Sequence, residues 1–121
     1  MFRCKRGALA LALLATMPAA AADYPEFPGE RLALGRSVWL DTCEGCHGYG
    51  IAGAPLATDA QQWAPRVAKG RETLYSHALE GFFGPRSTMM PARGGNEALN
   101  DEEVTAAVDY MVMLATGQSL P

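Results

Sequence analysis

The sequence contains few of the side chains from which most catalytic and metal sites are built, with two histidines and three cysteines among 121 residues. It has no excess of positive charge, because 10 basic residues stand against 13 acidic ones, and nucleic acid binding is not expected. Its apolar runs are shorter than the ~20 residues that a membrane-spanning helix needs. No stretch alternates convincingly between apolar and polar residues as a half-buried strand does. These absences predict one small all-α domain without a catalytic set of residues.

The first 22 residues carry the pattern of a secretory signal peptide. A short basic stretch over residues 1–6 precedes an apolar run over residues 7–15, and small residues follow up to Ala22. This order predicts cleavage near Ala22 and a mature protein in the periplasm. Cys4 precedes the apolar run, so we expect it to leave with the signal. A membrane anchor, the alternative, would need a longer apolar run.

Cleavage would change the charge balance, because the signal takes three basic residues and no acidic one. Without its first 22 residues the chain of 121 has 99 residues, of which 7 are basic and 13 acidic, a net charge of −6 with histidines neutral. An acidic surface favours partners with a positive docking patch through long-range steering. We therefore expect partner proteins that present positive charge.

Cys43, Cys46 and His47 form the most informative pattern in the chain, Cys-x-x-Cys-His, which is the attachment signature of a c-type haem. Each thiol can add across one haem vinyl group, and the adjacent imidazole can then bind the iron. The two cysteines lie near one helical turn apart, so both sulfur atoms can face the same side. The pattern predicts one covalently bound haem c with His47 as an axial iron ligand.

Two other interpretations of the cysteine pair stay open from the residues alone, a redox-active dithiol and half of a zinc site. A disulfide between such close residues would close a small loop and stabilise little. A haem would also solve a folding problem, because a domain of this size builds only a marginal core. A covalently held, largely apolar cofactor would complete that core.

Helical patterns account for most of the remaining sequence. An extended lead-in over residues 23–28 precedes a helix that starts at Glu30 and runs into the haem motif. Short helices are expected over residues 60–69, interrupted near Pro65, and over residues 72–79.

A long loop over residues 81–95 leads to the clearest helix of the chain. Asn100 is a good N-cap, and Glu103 lies three residues later, where it completes a capping box. Gly117 predicts the end of this helix.

The second iron ligand is indicated less directly, and its candidates are His77, Met89, Met90, Met111 and Met113. The last two fit the final helix as structural residues, and a lone histidine in a short helix is more often structural than a ligand. Met89 and Met90 lie in the long loop instead, where no helical stripe explains them. Pro91 restricts Met90 to extended geometry, so we favour Met90, with Met89 as the fallback. Packing around the haem is the alternative role for either methionine.

With these residues the chain resembles a class I cytochrome c, and within that class the bacterial cytochrome c5-like group. Three segments carry the resemblance: residues 43–55, residues 63–70, and residues 90–95 with 101–111. The resemblance implies a small class I cytochrome c fold, with three to five helices wrapped around one haem. It implies a cytochrome domain over residues 29–117, followed by a tail over 118–121.

The resemblance also implies roles for residues around the haem. The Pro55 carbonyl would accept a hydrogen bond from the His47 imidazole, although a plain turn proline is the alternative. Trp63 and Arg66 would lie against the haem propionates, with a core role as the alternative for Trp63. The first and last helices would cross near a glycine and an aromatic residue, and the corresponding residues here are Gly35, Trp39 and Tyr110.

The sequence departs from the family pattern in two places. Residues 96–99 contain no cysteine where many relatives place a second pair. Residues 82–88 make the lead into the methionine loop longer than expected. Phe82 and Phe83 in this insertion are candidates for a docking patch or for haem packing.

These observations together predict a periplasmic electron-transfer protein that cycles one haem between Fe(III) and Fe(II) with His/Met ligation. A dedicated cytochrome subunit of a periplasmic dehydrogenase or oxidase is the alternative. A haem enzyme or gas sensor would need an iron that neither Met89 nor Met90 binds.

Overall fold

The computed structural model describes residues 23–121, so the predicted signal peptide, Cys4 and the cleavage site lie outside the described residues. A π-helical segment, Trp39–Cys43, joins the first two helices without a break, as the predicted run into the haem motif requires. The α-helices are α1 (Glu30–Val38), α2 (Glu44–His47), α3 (Ala60–Val67), α4 (Arg71–Glu80) and α5 (Asp101–Thr116). This architecture confirms the predicted small helical fold.

The predicted loop over residues 81–95 contains a short β-hairpin, a local feature that the sequence analysis did not predict. Strand β1 (Phe82–Phe83) pairs antiparallel with strand β2 (Met89–Met90), so that Phe82 lies opposite Met90 and Phe83 opposite Met89. A 3₁₀ turn over Pro85–Ser87 connects the strands. Strands of two residues are too short to show alternation in the sequence, and this is why the pattern missed them.

Helix α3 runs through Pro65 to Val67, and the predicted interruption near this proline is therefore wrong. Asp59 caps the helix, because its side chain accepts hydrogen bonds from the backbone N–H groups of Gln61 and Gln62 at 2.9 and 3.2 Å. Pro65 lies in the second turn, where the ring removes one backbone donor. The capped first turn and the burial of Trp63, which is 5% exposed, outweigh that loss.

Helices α1 and α5 cross at Gly35, as the resemblance predicted. A Cβ atom at this position would lie 2.1 Å from the Ala106 carbonyl oxygen, so only glycine permits the approach. Trp39 and Tyr110 are completely buried beside the crossing, with ring centroids 6.5 Å apart. The lead-in packs on the same core, because the Tyr110 hydroxyl donates to the Pro25 carbonyl at 2.8 Å.

Helix α5 has the ends that the sequence predicts. The Asn100 side chain accepts from the Glu103 N–H at 2.9 Å, and the Glu103 carboxylate accepts from the Asn100 N–H at 2.8 Å. Gly117 ends the helix in a left-handed conformation, with a φ of 70°. Across residues 23–121, none of the helices combines the length and apolar character needed to cross a bilayer.

Candidate haem site

A cavity of about 500 Å³ lies between the helices and the hairpin. Its volume falls within the ~300–1,000 Å³ typical of cofactor pockets. Both cysteines and His47 border the cavity, and the hairpin and helix α5 contribute apolar side chains. The apolar lining from these last two elements consists of Phe82, Met89, Met90, Val104, Ala107, Val108 and Met111.

The His47 imidazole is held in a fixed orientation at the end of α2. Its ring is nearly buried, with 8% of the residue exposed, and Nδ1 lies 2.9 Å from the Pro55 carbonyl oxygen. The structure therefore contains the hydrogen bond that the resemblance implied for Pro55. With Nδ1 donating, the lone pair of Nε2 is available to a metal.

The pKa of His47 is lowered, which keeps the imidazole neutral. Burial is the main cause, the hydrogen bond to Pro55 acts in the opposite direction, and the nearby Arg66 charge lowers the pKa further. A neutral imidazole is the form that binds a metal.

Cys43 and Cys46 both carry free thiols on the cavity wall. Burial raises the pKa of Cys43 to about 11, with smaller contributions from Asp41 and Cys46. A reactive dithiol needs a lowered pKa, so this environment does not favour that interpretation. Within residues 23–121 no three histidine, cysteine or acidic side chains are grouped as metal ligands.

The register of the hairpin distinguishes the two methionines. Side chains alternate along a strand, so Met90 shares one face with its partner Phe82, and Met89 shares the other with Phe83. Met90 is partly buried and packs against the hydrophobic core, whereas Met89 is 56% exposed. Both border the cavity, and Met90 is the better enclosed of the two thioethers.

The other three candidates for the second iron ligand have the surroundings of residues with a structural role. The His77 ring borders the cavity but stacks on the Phe82 ring, with centroids 4.1 Å apart. Met111 is 5% exposed and belongs to the core, as its place in the helical stripe predicted. Met113 is partly buried on α5 and does not border the cavity.

Trp63 and Arg66 both lie on the cavity wall, but their hydrogen bonds differ from the expectation. The indole N–H of Trp63 donates to the Leu56 carbonyl at 2.9 Å, so this geometry does not leave it free for a propionate. Arg66 donates from one terminal nitrogen to the Gln62 carbonyl, and its other N–H groups remain for a carboxylate. Of the two side chains, Arg66 therefore keeps more donors available for a carboxylate.

Sequence reasoning missed the positive charge at this cavity. Four basic side chains border it, and none of the 13 acidic residues of the chain does. The four are Arg66, Lys69, Arg86 and Arg93. They are spread from residue 66 to residue 93, so net charge and local composition gave no signal of the cluster.

The residues at the cavity fit a c-type haem. Two free thiols lie beside a neutral imidazole whose Nδ1 is engaged by Pro55. A soft thioether comes from β2, and Arg66 can meet a carboxylate. The apolar wall suits the macrocycle, and no other described site offers this combination of ligands.

Comparisons with known proteins agree with this site. The sequence matches the family described as cytochrome c oxidase, cbb3-type, subunit III over residues 30–111. It is 45% identical over 80 residues to cytochrome c-555 of Chlorobaculum tepidum, a match that covers 66% of this chain and 73% of that protein. It is 33% identical over 79 residues to cytochrome c5 of Azotobacter vinelandii, covering 64% of this chain and 89% of that protein.

The chain is also similar in structure to a solved protein chain. That structure is described as the crystal structure of the electron transfer complex of nitrite reductase with cytochrome c. The match has a TM-score of 0.60 and 38% sequence identity, and it covers 68% of this chain and 94% of that chain. Sequence and structure comparisons together confirm the predicted fold and the likeness to the c5-like group.

Proposed function

Because the chain belongs to the class I c-type cytochromes, which are electron carriers with covalently attached haem, we propose that it is a periplasmic carrier with a single haem bound by His47 and Met90. The haem, when bound, supplies an Fe(III)/Fe(II) couple that takes one electron from a donor and passes one electron to an acceptor. As in its cytochrome c relatives, the role is electron transfer rather than catalysis, and no bond of a substrate is made or broken.

The observation that carries the proposed ligation is the pairing of a fixed imidazole with an enclosed thioether at one cavity. The Pro55 carbonyl, 2.9 Å from Nδ1, orients the His47 ring and raises its basicity. The register of β1 and β2 sets Met90 on the partly buried face of the hairpin. A thioether ligand favours reduced iron and raises the reduction potential.

Cys43 and Cys46 are proposed to hold the haem through thioether bonds, and Arg66 to meet a propionate. Pro55 would act on the haem only through His47. Trp63 is proposed to form the wall against which the His47 ring rests, since the two ring centroids are 6.1 Å apart.

A redox titration of the haem-loaded protein with full optical spectra tests this proposal. We expect a single one-electron transition and one haem per chain. In the ferric state we expect the weak far-red band of an iron–thioether bond. Absence of that band at neutral pH, or rapid binding of carbon monoxide to the ferrous protein, would contradict the ligation and favour an enzyme or gas sensor instead.

Export is proposed from residues 1–22, with cleavage after Ala22 placing the mature chain in the periplasm. The mature protein would begin with the lead-in over residues 23–28, followed by the cytochrome domain over 29–117 and the tail over 118–121. Amino-terminal sequencing of protein recovered from the periplasm checks this. A mature protein that retains Met1, or that fractionates with the cytoplasm, would contradict it.

A second candidate function is that of a cytochrome subunit in a larger periplasmic oxidoreductase. The description of the matched family, an oxidase subunit, favours it. Size analysis of the native protein separates the two roles. A monomer favours the independent carrier, and stable association with a larger redox enzyme favours the subunit.

A further inference from the structure

We propose that the hairpin side of the cavity rim is the surface on which redox partners dock, and that the partner presents carboxylates around an apolar centre. This inference rests on the proposed electron-carrier function and adds a location and a charge to it. It also differs from the expectation set by net charge, which called for a positive partner.

An exposed apolar patch marks this surface. The hairpin patch, as we term it, consists of Ile51, Phe83 and Met89, which are 53%, 82% and 56% exposed. Phe83 and Met89 are direct partners across the two strands and share the outer face of the hairpin. The Ile51–Gly53 turn meets the hairpin at Gly53, where an added Cβ would lie 2.6 Å from a Thr88 methyl. Apolar side chains exposed together in this way are typical of interaction sites.

The charges beside the hairpin patch are positive, although the chain as a whole is acidic. Of the 7 basic residues after residue 22, four border the cavity, while none of the 13 acidic residues does. The acidic side chain that lies against one of these four cations is Asp101, which is paired with Arg93. The positive charge is therefore concentrated at the cavity, and the net charge does not describe this surface. Docking is steered by the local field more than by the total charge.

Two of these four cations remain available to a partner. Arg93 is paired with Asp101 at 2.6 Å, and Arg66 is the proposed propionate partner. Lys69 is exposed, with its ammonium 6.0 Å from the centre of the Phe82 ring. Arg86 is exposed at the tip of the hairpin and forms no ion pair within residues 23–121. Both flank the hairpin, which gives the surface an apolar centre with a positive edge.

The hairpin presents Arg86 in a defined, strained conformation. Arg86 and Ser87 have φ values of 57° and 59°, the left-handed region that residues with side chains seldom occupy. Hydrogen bonds hold the tip, because the Thr88 hydroxyl donates to the Pro85 carbonyl and the Gly84 N–H donates to the Thr88 carbonyl, both at 2.9 Å. Strain that the surrounding structure maintains is commonly found where a loop binds something.

Two oxidants of opposite charge test the sign of the field at this surface. The ferrous haem protein is mixed with ferricyanide, an anion, or with tris(phenanthroline)cobalt(III), a cation, at ionic strengths of about 0.01 M and about 0.15 M, between which the Debye length falls from ~30 to ~8 Å. We expect the ferricyanide rate constant to fall with salt and the cobalt rate constant to rise. The reverse pattern, which a net charge of −6 alone predicts, would overturn the proposal.

A pair of double variants with the same change in net charge locates the field. Lys69→Gln with Arg86→Gln removes two positive charges from the rim. Gln118→Glu with Ser119→Glu adds two negative charges on the exposed tail, away from the cavity lining. We expect the rim variant to lower the rate constant for oxidation by ferricyanide about threefold or more at low salt. This is a modest part of the ~10–10³-fold range over which electrostatic steering changes association rates. An equal slowing by both variants would overturn the proposal.

A polypeptide that carries both carboxylates and aromatic side chains tests the apolar centre of the docking surface. A random copolymer of glutamate and tyrosine is added as a competitor of ferricyanide, and poly-L-glutamate, which lacks the aromatic side chains, is the comparison. We expect the copolymer to inhibit at lower concentration than polyglutamate. Phe83→Ser should remove the advantage of the copolymer, and Leu40→Ser, which alters an exposed leucine outside the patch, should preserve it. Equal inhibition by the copolymer and polyglutamate, or an unchanged advantage in Phe83→Ser, would overturn the proposal.

The optical spectrum distinguishes a wrong docking surface from a wrong iron ligand. The far-red band and the potential are recorded on every sample before the kinetics. Loss of the band in the native protein would contradict Met90 ligation and leave the salt dependence interpretable, because ferricyanide oxidises a ferrous haem whatever its axial ligands.

Discussion

The two sides of the cavity that supply the proposed iron ligands are built differently. On one side His47 ends a helix, is 8% exposed and is fixed by Pro55. On the other side Met90 lies on a strand of two residues, and its neighbour Met89 is 56% exposed. The first side is held by local sequence and by the crossing of α1 and α5, whereas the second depends on the register of a small hairpin. We therefore expect the methionine side to open at a lower temperature than the helices unfold, although damage to the helical side should cost more stability.

Gly35→Ala should have the largest effect, because it breaks the helical side. The new methyl would lie 2.1 Å from the Ala106 carbonyl oxygen, which is a backbone atom, so the crossing of α1 and α5 must shift. We expect the free energy of unfolding of the haem protein to fall by about 3 kcal/mol or more, measured by urea titration with circular dichroism.

Gly45→Ala is the matched control, since Gly45 is also helical and has open space at its Cβ position. There the substitution should be neutral or stabilise by up to about 1 kcal/mol. Similar losses in both variants would contradict the importance of the crossing.

Gly81→Ala should disturb the methionine side by an intermediate amount. Gly81 has a φ of 89° and a ψ of 166°, a region open essentially to glycine alone. An added Cβ would lie 3.0 Å from the Met90 carbonyl oxygen and 3.1 Å from the Ala92 nitrogen. We expect a loss of about 1–3 kcal/mol in stability, and loss of the far-red band at a lower temperature than loss of helix.

Gly70→Ala separates backbone strain from contact with the methionine segment. Gly70 has nearly the same conformation, with a φ of 90° and a ψ of 160°, but nothing lies near its Cβ position. It should lower stability without a separate early loss of the far-red band. An early loss in both variants would show that the methionine side is not selectively sensitive.

Ser87→Gly should have the smallest effect, and of the opposite sign. Serine at this position has a φ of 59°, and glycine removes the clash of Cβ with the backbone. We expect a gain of about 1 kcal/mol or less in the free energy of unfolding. Ser37→Gly in α1 is the comparison, and it should cost about half a kcal/mol because glycine is the poorer helix former. A loss of stability in Ser87→Gly would contradict the strain at the hairpin tip.

The parts of the molecule that local sequence determines were predictable. The capping box of Asn100 and Glu103, the end at Gly117 and the helix leading into the haem motif all depend on residues within a few positions of each other. The interruption at Pro65 was predicted wrongly. Proline usually breaks a helix, but here the cap at Asp59 and the burial of Trp63 stabilise the helix enough to contain it.

The features that were missed depend on contacts between distant residues or on rare backbone conformations. The hairpin turns at Arg86 and Ser87, neither of which is a glycine or asparagine that would have marked a left-handed turn. The bond from Trp63 to the Leu56 carbonyl and the cluster of cations at the cavity arise only once the chain is folded. A total charge cannot report how charges are distributed over a surface.

The far-red spectrum of the ferric protein in the variants Met90→Ala and Met89→Ala tests the central claim most directly. The register of the hairpin predicts that Met90→Ala loses the iron–thioether band and lowers the potential by on the order of 0.1 V, within the ~0.8 V range that axial ligands set. Met89→Ala should keep both the band and the potential. A band that survives in Met90→Ala and disappears in Met89→Ala would contradict the assignment of Met90 as the iron ligand.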